Sequence, residues 1–328
     1  MRSPTTEKQS RMQTTATHPG VAVATFQEQK TPNPSGRGVR GERRGDPPPR
    51  EWFYSRLVGE SAKSGDLRVI TEFIEKNGVD HVDEKGESLL MNTCRRNDPE
   101  VVRFLLEKGA QVDRKFEDSG KTVLHKTAAC DTAKNFAVLL EYDPDINVLD
   151  NKGRTPLDMA ARFSRSLDIV KMLVRRGVDV NRPDHGGYTP LHRASVSDSS
   201  GILPFLLKHG ALPDARITDD TMRTPLHIAV HSGAHDNVKA LLDAGASPDP
   251  VDIDGDTPLH LACCGGRLQM VEYLCDRGAS LTSLNKGDRT PIDLSWNPYV
   301  ESYLRTLSYP FSASSSSNNG STKRQRRY

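Results

Sequence analysis

The sequence predicts an all-α solenoid of about eight stacked helix-pair units joined by β-hairpin loops. Three observations predict it: a tetrapeptide that returns at near-constant spacing, a helix start signal at each return, and a glycine that closes most units. The tetrapeptide reads TPLH from Thr189, Thr224 and Thr257. Relatives begin at Ser88 (SLLM), Thr122 (TVLH), Thr155 (TPLD) and Thr290 (TPID), so successive starts lie 33 to 35 residues apart. A degenerate first copy near Ser55 keeps only the second half of the unit, SAKSGDLRVITEFIEKNGVD.

Each unit can be justified in order. The leading Thr is an N-cap whose hydroxyl accepts a backbone N–H of the first turn. The Pro after it stands at N1, where its missing N–H costs nothing and its φ is already helical. Leu and small residues such as Ala194, Ala229 and Ala262 then let this first helix pack closely. A second helix follows with apolar spacing, as in Val101, Leu105 and Leu106 or Val238, Leu241 and Leu242. It stops at Gly109, Gly177, Gly210, Gly245 or Gly278, each suited to a left-handed C-cap. Turn-forming loops come next, such as Asn151-Lys-Gly153 and Asp254-Gly255. Departures fall mid-chain: Asp143-Pro144 replaces a closing glycine, an extra residue sits around Phe163 to Ser166, and SVSDSSG interrupts the fifth unit. Pro204 falls in a first helical turn, where proline is tolerated.

Period and motif together resemble the ankyrin repeat across roughly residues 52–307. That resemblance implies a protein-binding groove lined by hairpin tips and the exposed ends of the first helices. Carried over position by position, it selects Glu87, Arg95, Arg96, Lys121, Arg154, Arg162, Phe163, His185, Tyr188, Arg223, His231, Asp254 and Asp256. Phe163 and Tyr188 stand out because aromatics and Arg are enriched among interface hot spots, although Phe163 could instead fold into the core. Arg95, Arg96, Arg154 and Arg162 form a basic strip that suggests an acidic partner segment.

The ends of the 328-residue chain read differently. Residues 1–50 carry nine Lys/Arg against four acids amid Thr, Pro, Gly and Ser, too little apolar surface to offset chain entropy. Residues 309–328 are Ser/Asn-rich and end in a basic run, which leaves residues 51–308 as a net-acidic repeat domain. Lys323, Arg324, Arg326 and Arg327 resemble a short nuclear-import signal. The outermost units lack the full motif and need covers: Trp52 and Phe53 at the start, Trp296, Tyr299 and Tyr303 at the end.

The same sequence argues against other classes. No apolar run approaches the ~20 residues that span a bilayer, and Val21 to Phe26 is too brief for a signal core. Five cysteines without CxxC spacing indicate reduced thiols and an intracellular protein, cytoplasmic or nuclear. His125, His192, His227 and His260 lie whole repeats apart, a ladder that ties unit to unit rather than a shared metal site. No phosphate loop, nucleophile elbow or zinc-protease motif occurs, so no cofactor and no enzymatic activity are expected. Nucleic acid would bind only weakly, through the basic tails. The expected function is a monomeric adaptor for a protein partner, with substrate recruitment to a ubiquitin ligase as the alternative.

Overall fold

A computed structural model describes residues 66–83, 86–198 and 201–308. The predicted tails, the part of the Ser55 copy before residue 66, Trp52, Phe53 and the basic residues Lys323, Arg324, Arg326 and Arg327 lie outside the described residues. The described part falls within the unit Pro48–Tyr328. Its helices are α1 (Arg68–Asn77), α2 (Leu89–Thr93), α3 (Pro99–Glu107), α4 (Val123–Cys130), α5 (Ala133–Leu140), α6 (Pro156–Phe163) and α7 (Asp168–Arg175). They continue as α8 (Pro190–Ala194), α9 (Ile202–Lys208), α10 (Pro225–Ser232), α11 (His235–Asp243), α12 (Pro258–Cys264) and α13 (Leu268–Asp276). A 3₁₀ turn (Ile292–Leu294) and α14 (Pro298–Ser308) follow.

The pairs α2–α3 to α12–α13 are the predicted units, with the first helices forming an inner row and the second an outer row. Along the inner row α2 packs on α4, α4 on α6, α6 on α8, α8 on α10 and α10 on α12. Along the outer row α3 meets α5, α5 meets α7, and α9 meets α11. Between the rows lies one continuous core that includes Leu89, Leu124, Phe136, Leu157, Ile169, Leu191, Leu226, Leu259 and Leu274.

The start signals behave as predicted. Thr122, Thr155, Thr189, Thr224 and Thr257 hold extended backbone ahead of an inner helix, and each forms a capping box with the fourth motif residue. Outer helices end in left-handed Gly109, Gly177, Gly210, Gly245 and Gly278, with φ between 80° and 88°. Ala110, Val178, Ala211, Ala246 and Ala279 then donate back to the carbonyl five residues earlier and bury their side chains, a Schellman closure. Asp143, the predicted substitute, takes φ 49°.

The loops differ from the prediction of β-hairpins. Among the described residues no strand forms; only an isolated bridge pairs Val82 with Ser88. These loops are instead turns closed by two backbone bonds, such as Asp150 N to Arg154 O at 3.0 Å with Gly153 N to Asp150 O at 2.9 Å, or Asp252 N to Asp256 O with Gly255 N to Asp252 O, both at 3.0 Å. Each tip then donates to the tip before it: His185 N to Lys152 O, Thr218 N to Gly186 O, and Lys286 N to Asp254 O. Backbone bonds thus run both within each turn and from one tip to the next, without extending into a strand ladder.

This close stitching explains one glycine. A Cβ on Gly187, at φ +82°, would come 2.3 Å from the Thr218 amide nitrogen. Gly187→Ala is expected to cost more than about 2 kcal/mol, because steric overlap adds to left-handed strain. Gly245→Ala has the same kind of φ but open space around it, so it should cost only about 1 kcal/mol. Urea unfolding of the two variants checks the ranking.

The terminal cover is partly corrected. Val300 and Leu304 of α14 are buried and Tyr303 is half-buried, so α14 does close the stack. Trp296 and Tyr299 instead stay 70% and 75% exposed, although the Trp296 indole donates to Cys264 O at 2.8 Å. The Trp296 ring lies against Gly266, where an added Cβ would come 2.8 Å from it, while Ser295 Oγ donates to Asn297 O and accepts from Asn297 N at the start of α14.

Candidate functional site

The histidine ladder is the internal frame of the candidate groove. Nδ1 of His125, His192, His227 and His260 accepts from the N–H of its own N-cap Thr at 3.1–3.2 Å. Nε2 then reaches the next unit: His125 to Arg154 O at 2.9 Å, His227 to Asp256 O at 3.1 Å, and His260 to Arg289 O at 3.0 Å. His192 faces the Arg223 carbonyl but its Nε2 closes no hydrogen bond. Burial pushes His125 down, and His192 and His227 each down to about 4. Burial therefore keeps His125, His192 and His227 neutral, and His125, His227 and His260 link one unit to the next. No group of three or more His, Cys, Asp or Glu that could hold a metal exists among the described residues.

The fourth unit replaces this histidine with Asp158. Its Oδ2 accepts from Thr155 N at 2.7 Å and Thr155 Oγ1 at 2.8 Å, while Oδ1 is buried without a partner. Burial raises the carboxyl to about 6, partly offset by the Thr155 bonds. Asp158→His is expected to stabilise the stack by about 1 kcal/mol at pH 7, since it removes a buried charge and reaches toward the next loop. A raised urea midpoint at constant slope is the measurement.

The loop tips hold a group that sequence reasoning did not single out. Asp150, Asp184, Asp252 and Asn285 stand five residues before the N-cap Thr and accept two loop N–H groups through Oδ1, at 2.9–3.1 Å. The pattern Asp/Asn-x-x-x-x-Thr was the available signal, an Asx-type turn repeated in register.

These acids decide which groove cations are free. Arg154 donates Nε to Asp150 at 2.8 Å, and Arg223 donates Nε to Asp252 at 3.4 Å. Arg193 pairs with Asp184 and lies 4.3 Å above the Tyr188 ring, whose hydroxyl donates to Asp219 at 3.0 Å. Burial alone would raise Asp150, yet its bonds from Arg154 and the loop amides bring it below the usual carboxylate value. Arg154, Arg223 and Tyr188 are thus half-buried parts of the loop frame. Asp256 accepts from Asn285 Nδ2 at 2.7 Å, again between neighbouring tips. Asp254 is exposed, and so is His185, whose ring covers Gly153 closely enough that a Cβ there would lie 2.4 Å away. His231 is half-buried and is pushed down by burial, then by Arg223 and Arg267.

Arg95, Arg162 and Phe163 are exposed and Arg96 is half-buried. Phe163 is 53% exposed, so it does not fold into the core. Arg162 lies 5.8 Å from the Phe163 ring centroid and, among the described residues, pairs with no acid. Partial burial and the neighbouring Arg193 lower it from the usual guanidinium value. The sequence-selected strip therefore divides into Arg154, tied to Asp150, and Arg95, Arg96 and Arg162, which pair with no acid among the described residues.

A depression of about 490 Å³ opens between the second and third loops, lined by Glu87, Phe116, Asp118, Ser119, Lys121, His125, Lys126 and Ala129. Lys126 pairs with Glu87 without a well-directed hydrogen bond, and its ammonium sits 4.9 Å over the Phe116 ring.

Helix pairs in register, capping boxes and stitched loop tips define a repeat scaffold. The family profile "Ankyrin repeats (3 copies)" matches residues 59–150, 127–219 and 212–285, more than half of the chain. The chain belongs to the ankyrin-repeat family, whose repeats serve protein–protein interaction. It is similar to the ankyrin repeat domain of Bcl-3, a member of the IkappaB family, at 25% identity and TM-score 0.58, over 68% of this chain and 100% of that one. It is equally similar to the human ASB11 ankyrin repeat domain, at 25% identity and TM-score 0.59, over 67% and 97%. A Danio rerio protein named as a palmitoyltransferase, ZDHHC13, is 29% identical over 241 residues, which is 73% of this chain and 36% of that protein. Neurogenic locus notch homolog protein 1 of Xenopus tropicalis is 38% identical over 107 residues, 32% of this chain and 4% of that protein. The chain thus spans about a third or less of these two relatives.

Proposed function

We propose that the chain is a non-catalytic adaptor that recognises a partner protein through its loop-tip and inner-helix groove. The observation that carries this is Arg162 beside Phe163: an unpaired guanidinium and a 53%-exposed aromatic on the same surface. An exposed ring that stabilises nothing inside the fold, next to a partly desolvated cation, has the composition of an interface hot spot. Binding of this kind works by preorganised complementarity, because the rigid repeat frame is ordered before contact. Free Cys94, Cys130, Cys263, Cys264 and Cys275 support a reducing, intracellular setting. Among the described residues no helix is long and apolar enough to cross a membrane.

The test is affinity purification with mass spectrometry on wild type and on an Arg95→Glu, Arg162→Glu, Phe163→Ala variant. All three side chains are exposed, so the variant should unfold within about 0.5 kcal/mol per site of wild type. Partners held by wild type and lost by the folded variant support the groove. Partners retained in full by the variant, at matched expression, would sink the reading.

A further inference from the structure

The third unit departs from its neighbours in two ways that meet at one place. First, its loop is longer: Phe116 N bonds Lys121 O across five residues, where Asp150 N bonds Arg154 O across four. The chain there has Phe116 near the position where other loops carry the amide-accepting Asp. Second, its inner helix carries small Ala129 at the site occupied by exposed Arg95 in the unit before and exposed Arg162 in the unit after. A wider loop and a missing side chain open the 490 Å³ depression, with Phe116 in its wall and Ala129 lining it. Its volume falls within the ~300–1,000 Å³ of cavities that hold small groups.

Charge bookkeeping indicates what would sit there. The Lys126 charge is met by Glu87 and that of Arg154 by Asp150. Lys121 lines the cavity with no ion pair among the described residues, and burial together with Arg154, Lys152 and Lys126 pulls it below the usual lysine value. Arg95 and Arg162 stand unpaired at the equivalent positions on the two flanking inner helices. Against these three cations the lining offers one carboxylate outside an ion pair, that of Asp118. The rim therefore favours anions, and the walls favour a hydrocarbon or ring.

We propose that this depression is the anchor subsite of the groove, taking one aliphatic or aromatic side chain of an acidic partner segment while its carboxylates meet Lys121, Arg95 and Arg162. The proposal rests on the groove reading above and names the chemistry of the partner. An apolar anchor surrounded by desolvated charge pairs is the arrangement that concentrates binding energy in few residues. The chain's own basic tail segment around Lys323 is a poor occupant, because it would bring like charge to the rim.

A phage-displayed random-peptide library selected on the full chain tests this, followed by fluorescence anisotropy of the enriched peptides on purified variants. The expected peptides place Phe, Leu or Tyr among Asp and Glu. Their affinity should fall about tenfold or more on Ala129→Phe, which fills the cavity, and on Lys121→Glu, which reverses the rim. Lys239→Glu, an equal charge reversal at an exposed site on the outer helix α11, should leave it unchanged. Thermal unfolding confirms that each variant is folded, and Lys121→Glu keeps the test decisive if Ala129→Phe is not. Enriched peptides that are neutral or basic, or that bind Ala129→Phe and Lys121→Glu as they bind wild type, overturn the subsite. If such peptides are lost on Asp254→Arg, at a distant loop tip, the groove stands and only the subsite falls; if no groove variant affects any peptide, both fall. A selection that enriches nothing overturns the subsite as well.

Discussion

Acidification from pH 7 to about 4 is expected to destabilise the repeat stack by a net amount of about 3 kcal/mol, with the buried histidines as the cause. His192 and His227 fall from 6.5 to about 4 on folding, because burial penalises the imidazolium and the Thr N–H donors require an unprotonated Nδ1. A lowered folded value means that their stabilisation is complete above 6.5, declines as the pH falls, and is gone below about 4. At roughly 1.4 kcal/mol per unit, each ring accounts for about 3 kcal/mol over that window. Asp158 acts with opposite sign: raised from 3.8 to about 6, it takes up a proton more readily when folded and gains stability as the pH falls through 6. That gain offsets about one histidine. Urea unfolding at pH 7, 5.5 and 4 measures the balance. The His192→Asn, His227→Asn double variant keeps an acceptor for each Thr amide and should lose stability little, or gain it, toward pH 4. Asp158→Asn in the wild-type background should steepen the acid loss. A double variant that titrates like wild type would refute the histidine origin.

Phe136→Ala is expected to cost about 3–5 kcal/mol, the range for emptying a fully buried aromatic site. Phe136 is fully buried in α5, the outer helix that touches both α3 and α7. Its loss should weaken two unit-to-unit interfaces at once, and a solenoid's stability is a sum of such nearest-neighbour terms. Unfolding should therefore lose cooperativity as well as free energy. Hydrogen exchange followed by mass spectrometry should show protection falling first in α3 to α7, with α11 to α13 little changed. Phe163→Ala, at an exposed ring, should cost under about 0.5 kcal/mol. A uniform loss of protection along the chain would contradict the nearest-neighbour account.

Much of the architecture was legible because its signals are local. Thr-Pro starts and glycine stops act within one turn of helix, so the boundaries of α6, α8, α10 and α12 follow from the chain itself. The histidine ladder was also readable, since one residue type at one register must meet the same neighbour in every unit. The loops were legible as turns but not in their partners: they close on themselves without strands, and one amide of each tip pairs with the tip before, whose identity is not encoded nearby. The repeat intervals, by contrast, now have a location. The interval from Ser88 to Thr122 is longer because the loop at Phe116 is, and that from Thr189 to Thr224 because Ile217 N reaches Arg223 O across six residues.

The groove was legible only as a set of positions. Register selected Arg95, Arg154, Arg162, Tyr188 and Arg223 as groove candidates, because a repeat carries a position from one unit to the next. Which of them carries an ion pair was decided by the fold, which brings Asp150 to Arg154 and Asp252, 29 residues away, to Arg223. The same holds for Asp158, whose buried Oδ1 could be found only once the next unit was stacked over it. By itself the sequence determined the repeat and the helix punctuation, because these depend on residues within a turn or two of one another. The tertiary structure decided the ion pairing, the exposure of Phe163 and the cavity at Ala129, because charge neutralisation and empty volume are properties of neighbours in space.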